Sequence, residues 1–203
     1  MNQPVFVAGT GVISAIGNNL PENLDALENC RTGIGKMKYL DSVYRDKLPV
    51  AEVKLSNEAL SQLAGLPVTK SRTALLSAIA AREAISNAGI DDLKKYRSGF
   101  ISANSVGGMD KSEKFFVQFL SGNNHGKLRD VIHHECGSVT ELVADALGIK
   151  NHISTISTAC SSSANAIFYG ARLIKNNLLD VVVAGGTDAL TRFTLNAFHT
   201  LRI

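Results

Sequence analysis

Ile153-Ser154-Thr155-Ile156-Ser157-Thr158-Ala159-Cys160-Ser161-Ser162-Ser163-Ala164-Asn165-Ala166 is the stretch around which this chain is organised. From Ile153 to Ser157 the residues alternate with a period of two, as in a β-strand. Beyond them Ala164, Ile167, Phe168, Ala171 and Ile174 recur at helical spacing, and the stripe ends near Lys175. Cys160 is thereby predicted at a strand-to-helix turn, at or just before the first helical turn. Unpaired N–H groups and the positive end of the helix dipole face that position. Both favour a thiolate, which is the nucleophilic form of cysteine. An acyl group could be loaded and held there. The same residues also suit plain packing, because a free cysteine is a compact and commonly buried side chain.

Working outward, 203 residues can bury a proper core as one large domain or two small ones. A hydrophobic content of 45% against 19% charged residues marks a folded, slightly apolar chain rather than a disordered one. The net charge of +3 is small and dispersed, which argues against a nucleic-acid partner. No apolar run approaches the length of a membrane span, and the first residues lack the basic region of a signal peptide. Cys30, Cys136 and Cys160 are an odd set without framework spacing, as expected of a reducing cytoplasm. A cytoplasmic protein without a membrane partner is the expectation.

The N-terminal run from Val5 to Ser14 reads as a buried strand ending in a glycine turn. Gly9-Thr10-Gly11, with the small Ser14, partly matches a dinucleotide fingerprint. No second strand ending in an acidic residue follows, so no nucleotide site is assigned. A helix is predicted over Asn18–Asn29, with Pro21 in its first turn. A short extended piece follows over Val50–Leu55, then a helix capped by Ser56 and running to about Ala64. Thr69 is read as opening a long helix that closes at Asn87-Ala88-Gly89. A strand over Gly99–Asn104 leads into the turn Ser105-Val106-Gly107-Gly108, where glycines permit close backbone approach. Phe115, Phe116, Phe119 and Leu120 form an apolar helical face. His133-His134-Glu135-Cys136 resembles part of a metal site, but no second ligand cluster stands at metal spacing, so no metal is expected. Ser138 is read as the cap of a helix ending at Gly148, and Val181–Ala184 as a further strand. Strands alternating with covering helices imply a three-layer α/β arrangement.

Thr158-Ala159-Cys160-Ser161-Ser162, with Asp180-Val181-Val182-Val183-Ala184-Gly185-Gly186-Thr187-Asp188 twenty residues on, resembles a β-ketoacyl-acyl carrier protein synthase, a condensing enzyme of the thiolase superfamily. The resemblance covers essentially the whole chain, but only the first half of a ketosynthase, which is roughly twice as long. It implies the N-terminal half of a thiolase-like α/β fold, a three-layer α/β/α unit with a mixed, mostly parallel five-stranded sheet, residues 1–203 forming one domain. It also implies that Cys160 is the acyl-accepting nucleophile and that its backbone N–H is one oxyanion donor. Val106, Gly107, Ala159 and Phe198 would line the substrate. Lys70, Arg72, Lys127, Arg129 and Arg202 are the basic candidates for docking an acidic acyl carrier protein. No separate cofactor is implied, the substrates riding on the carrier's phosphopantetheine. The strand 153–158 would pair with its twofold mate in a homodimer.

The reaction so implied is transfer of an acyl group to Cys160, then decarboxylative Claisen condensation with malonyl carrier protein, in a fatty acid, polyene or polyketide line. Two catalytic histidines, a lysine and the second oxyanion donor belong to the other half of a ketosynthase. None of His125, His133, His134, His152 and His199 lies in a matching motif, so this chain alone is expected to be inactive, as a truncated piece. Lys70-Ser71-Arg72-Thr73-Ala74-Leu75 replaces the Asp-Arg-Phe-like cluster of common members, which suggests a divergent subgroup, and the polar run Arg129–Cys136 leaves chain length open. A thiolase-type acyltransferase and a non-catalytic ketosynthase-like interaction subunit are the alternatives.

Overall fold

A computed structural model describes residues 4–202. The regular elements are α1 (Leu20–Glu28), α2 (Asn57–Ala64), α3 (Arg72–Asn87), β1 (Ser98–Ala103), α4 (Met109–Leu120), α5 (Cys136–Leu147), β2 (His152–Ile156), α6 (Ser162–Lys175), β3 (Val181–Gly186) and α7 (Arg192–Leu201). Short 3₁₀ turns lie at Leu93–Lys95, Leu128–Asp130 and Ala159–Ser161.

The sheet has the order β2-β1-β3 with both pairings parallel. Central β1 is buried along its whole length, as a strand covered on both faces should be. From β1 the chain crosses to one side to make β2, then returns across β1 to make β3. Two right-handed crossovers in opposite directions put their helices on opposite faces. The packing agrees. Phe100 joins Leu60, Leu75, Val139 and Val143 from α2, α3 and α5, while Ile101 and Ala103 join Ala166 and Leu173 of α6. The three-layer α/β/α arrangement is therefore observed.

The number and direction of the strands differ from expectation. Among the described residues three strands pair, all parallel, rather than five in a mixed sheet. Residues 5–14 form no strand; Ser14 makes an isolated bridge to Gly17, and Phe6 and Val7 are each 80% exposed. Their apolar composition fits a strand, but a strand also needs a backbone partner. Instead the segment lies against α3, where a Cβ at Gly9 or Gly11 would overlap the Ala84 or Ala80 carbonyl. These glycines serve helix contact rather than a turn. The Glu83 carboxylate fastens the segment by accepting from the Val12 and Leu20 amides at 2.8 and 2.6 Å. The expected extended piece over Val50–Leu55 reduces to a bridge between Gly35 and Val50. There buried Glu52 gathers the amides of Lys38, Tyr39 and Leu40.

Helix boundaries follow local chemistry. Asn19, Ser56 and Ser71 cap α1, α2 and α3 through their side chains. The start of α3 falls at Arg72 rather than near Thr69, because Ser71 accepts from Ala74 and the Asp110 carboxylate accepts the Arg72 amide at 3.0 Å. Likewise α5 starts at Cys136, two residues before the expected Ser138 cap. Its end at left-handed Gly148 is as expected. Among the described residues no helix is long and apolar enough to cross a membrane.

Candidate active site

The carboxyl ends of the three strands meet the start of α6. Ile156 accepts from the Asn104 amide at 3.3 Å and Ala103 accepts from the Thr187 amide at 2.9 Å, so the loops after all three strands leave from one level. In parallel α/β sheets this end, where crossovers leave in opposite directions, is where ligands bind.

After β2 the chain turns sharply. Ala159 takes a left-handed φ of 52°, uncommon for a residue with a side chain, and Cys160 sits exposed in the 3₁₀ turn that runs into α6. Neighbouring side chains hold that turn. The Ser162 hydroxyl, 4% exposed, accepts from the Thr158 amide at 2.7 Å and donates to the Ala159 carbonyl at 2.6 Å. The Ser161 hydroxyl donates to the Thr158 carbonyl at 2.8 Å, and the Asn165 amide donates to the Thr158 hydroxyl at 2.9 Å. The run of serines is therefore a hydrogen-bonded brace with the cysteine at its crest.

The loop after β1 lies between this turn and the end of β3. Val106 is half-buried and Gly107 fully buried. Gly107 has a φ of 54°, and a Cβ there would overlap the His134 carbonyl, so both conformation and space require glycine. Its amide donates to the Asn104 side chain at 3.0 Å, and Asn104 in turn donates to the Cys136 carbonyl. The Asp188 carboxylate accepts from Ser105 and Val106. Burial pushes the Cys136 thiol above its ordinary value; the nearby Asp188 charge adds to the push and a hydrogen bond with Ser157 opposes it. Cys136 is thus held as a thiol beside the site, whereas Cys160 faces solvent.

The chain matches the family described as "Beta-ketoacyl synthase, N-terminal domain" over residues 2–203. It belongs to that family. A 27% identical relative, "Nodulation protein E" of Rhizobium sp. (strain N33), aligns with 100% of this chain and 51% of its own. The solved structure "The ishigamide ketosynthase/chain length factor" superposes with a TM-score of 0.88 at 23% identity, over 96% of this chain and 50% of that one. "AntDE:AntF (apo): type II PKS acyl-carrier protein in complex with its ketosynthase bound to the hexaketide" superposes with a TM-score of 0.75 at 21% identity, over 99% and 49%. This chain thus spans about half the length of the curated relatives it matches.

Within this β-ketoacyl synthase domain, the expected site residues are unevenly distributed. Cys160 and Ala159 share the turn, and Val106 and Gly107 follow the adjacent strand. Phe198 is 53% exposed on α7, a helix tied to α4 where Glu113 accepts from the Arg192 and Phe193 amides. Among the basic residues, Lys127, Arg129 and Arg202 are exposed and Lys70 is half-buried. Arg72 is different. Its guanidinium donates inward to the Val53 and Leu55 carbonyls and to Asn57, and it lies over the Tyr39 ring. That fork is spent within the fold, which removes Arg72 from the docking set. Of the histidines, His125 and His134 bond Ser121 and Ser112, while His152 and His199 pack on Tyr169 and Tyr44. Among the described residues no three His, Cys, Asp or Glu side chains converge as a metal site.

Sequence reasoning assigned no role to Ser162, Asn104 or Asp188. The Asp180–Asp188 motif contained the last of these, but its partners stand 82 and 83 residues away.

Proposed function

We propose that this chain is the nucleophile-bearing half of a ketosynthase that condenses acyl and malonyl groups carried by an acyl carrier protein. The observation that carries the reading is the exposed Cys160 on a hydrogen-bonded strand-to-helix turn at the carboxyl end of a parallel sheet. The Cys160 thiolate attacks the carbonyl carbon of the carrier thioester, a new C–S bond forms, and the phosphopantetheine thiolate leaves. The Cys160 amide, at the helix start, is the donor offered to the oxyanion. Malonyl carrier protein then loses CO₂, its carbanion attacks the acyl-cysteine, and the Cys160 thiolate is released. That second step draws on the histidine pair that a full-length ketosynthase supplies from its other half.

The carrier is read as an acidic protein meeting Lys70, Lys127, Arg129 and Arg202. The partner chain is read as a second copy across β2, whose outer edge is unpaired among the described residues. Ile153 on β2 is 41% exposed, and Ile167 and Phe168 on α6 are 55% and 61% exposed. Such an apolar edge calls for a partner. Three free cysteines fit a cytoplasmic setting. The decisive assay follows β-ketoacyl product and CO₂ from the full-length protein with acyl and malonyl carrier proteins. Product from wild type and none from Cys160→Ala is expected. Undiminished product from the variant would refute the assignment, and a wild type that transfers only to coenzyme A would favour the thiolase-type alternative.

A further inference from the structure

The loop after β1 is shaped by side chains rather than by backbone pairing. The Asp188 carboxylate receives two consecutive amides: Oδ1 accepts from Ser105 at 2.8 Å and from Val106 at 3.2 Å, and Oδ2 also accepts from Ser105 at 3.1 Å. The next amide, Gly107, goes to Asn104 Oδ1 at 3.0 Å. Three successive N–H groups thus converge on two side chains, an arrangement in which a carboxylate takes the place of a bound anion. Because the strand order is β2-β1-β3, the loop after β1 stands between the Cys160 turn, which follows β2, and Asp188, which follows β3. The far side of the loop is fixed as well, where Gly108 donates to the His134 carbonyl at 3.2 Å.

We infer that Asp188 is a positioning residue for acyl-chain binding: it holds the Ser105–Gly107 loop as the wall beside Cys160, so that Val106 meets the substrate chain at a set place. This role rests on the ketosynthase reading. Asp188 does not touch the reacting atoms; its effect runs through the two amides it receives. Hydrogen bonds to a charged group are the stronger kind.

The test compares wild type, Asp188→Ala and Asp188→Asn in the full-length protein. It reads amide exchange over residues 105–107, the KM and kcat of acyl transfer from carrier proteins bearing a short or a long chain, iodoacetamide alkylation of Cys160, and the melting temperature. In Asp188→Ala, exchange at Ser105 and Val106 is expected to rise by roughly tenfold or more, as each amide loses its charge-assisted bonding to the carboxylate. KM for the carrier substrates should rise by about the same factor and the preference between chains should change, with kcat and alkylation nearly unchanged and the melting temperature lowered by only a few degrees. Asp188→Asn should fall between, because one oxygen can still accept both amides. Unchanged exchange overturns the inference. So does faster exchange with KM and chain preference unmoved, or parallel loss of transfer, alkylation and melting temperature. A wild type that is never acylated overturns the ketosynthase reading and the substrate role with it, while faster exchange in the variant still upholds the loop restraint.

Discussion

Ser162→Ala removes one oxygen atom and keeps the Cβ, which makes it the cleanest probe of the Cys160 turn. The hydroxyl makes two hydrogen bonds, from the Thr158 amide at 2.7 Å and to the Ala159 carbonyl at 2.6 Å, and the side chain is 4% exposed. Each lost bond removes about 1 kcal/mol net, and a donor left buried without a partner costs about 1–3 kcal/mol. Thr158 and Ala159 are exposed, so water can reach part of what is vacated and the lower values apply. The expected loss is about 2 kcal/mol. For a domain of this size that is a fall of roughly 4–8 °C in Tm. Ala159 at φ 52° loses its restraint too, and the turn is freed towards less strained backbone. Calorimetry measures the first effect, and the rate of Cys160 acylation by a carrier thioester the second. The rate should fall by roughly tenfold or more, since misplacement by an ångström has large catalytic effects. A variant that melts within about 1 °C of wild type and acylates at the wild-type rate refutes the brace.

Gly107→Ala puts a methyl group on a left-handed residue and against the His134 carbonyl, so a destabilisation of about 3 kcal/mol or more is expected from strain and overlap together; urea unfolding measures it, and a loss below about 1 kcal/mol contradicts the packing. Asp110→Asn tests a buried carboxylate whose pKa burial has raised, against the opposing pull of the Arg72 amide. A folded pKa above the unfolded one means that wild-type stability falls as pH rises from the ordinary carboxylate value through the raised one. The variant lacks that loss, so its stability relative to wild type should increase from pH 4 to pH 8, and a flat difference contradicts it. Arg72→Lys keeps the charge but not the fork that reaches the Val53 and Leu55 carbonyls, and should lower stability by about 2 kcal/mol; a neutral result contradicts the internal role given to Arg72.

Short-range chemistry made much of this chain readable. Ser56 and Gly148 mark helix ends because a hydroxyl cap and a left-handed glycine act within one turn of their own residue. The Cys160 turn was legible for the same reason: the strand period stops and the helical stripe starts within a few residues of it. The N-terminal segment differs from its expected strand because Val5–Ser14 has the composition of a strand, while strand formation depends on a partner that composition does not reveal. Its glycines were equally ambiguous, since close approach to α3 and a tight turn demand the same residue. Helix α7 has only a faint local signal although Thr191 and Thr194 cap its start reciprocally, because threonine at both places is a weak form of the capping box. The links that finish the site, Asp188 to Ser105 and Glu113 to Phe193, join residues 83 and 80 positions apart. They are properties of the assembled sheet and not of any local stretch.

The most direct test of the central claim is the intact mass of the protein after incubation with an acyl carrier thioester, for wild type and for Cys160→Ala. The account predicts one acyl adduct on wild type, mapped to Cys160, and none on the variant, although exposed Cys30 and part-buried Cys136 remain in both. An adduct that persists in the variant, or that spreads over all three cysteines, contradicts the assignment of Cys160 as the acyl acceptor.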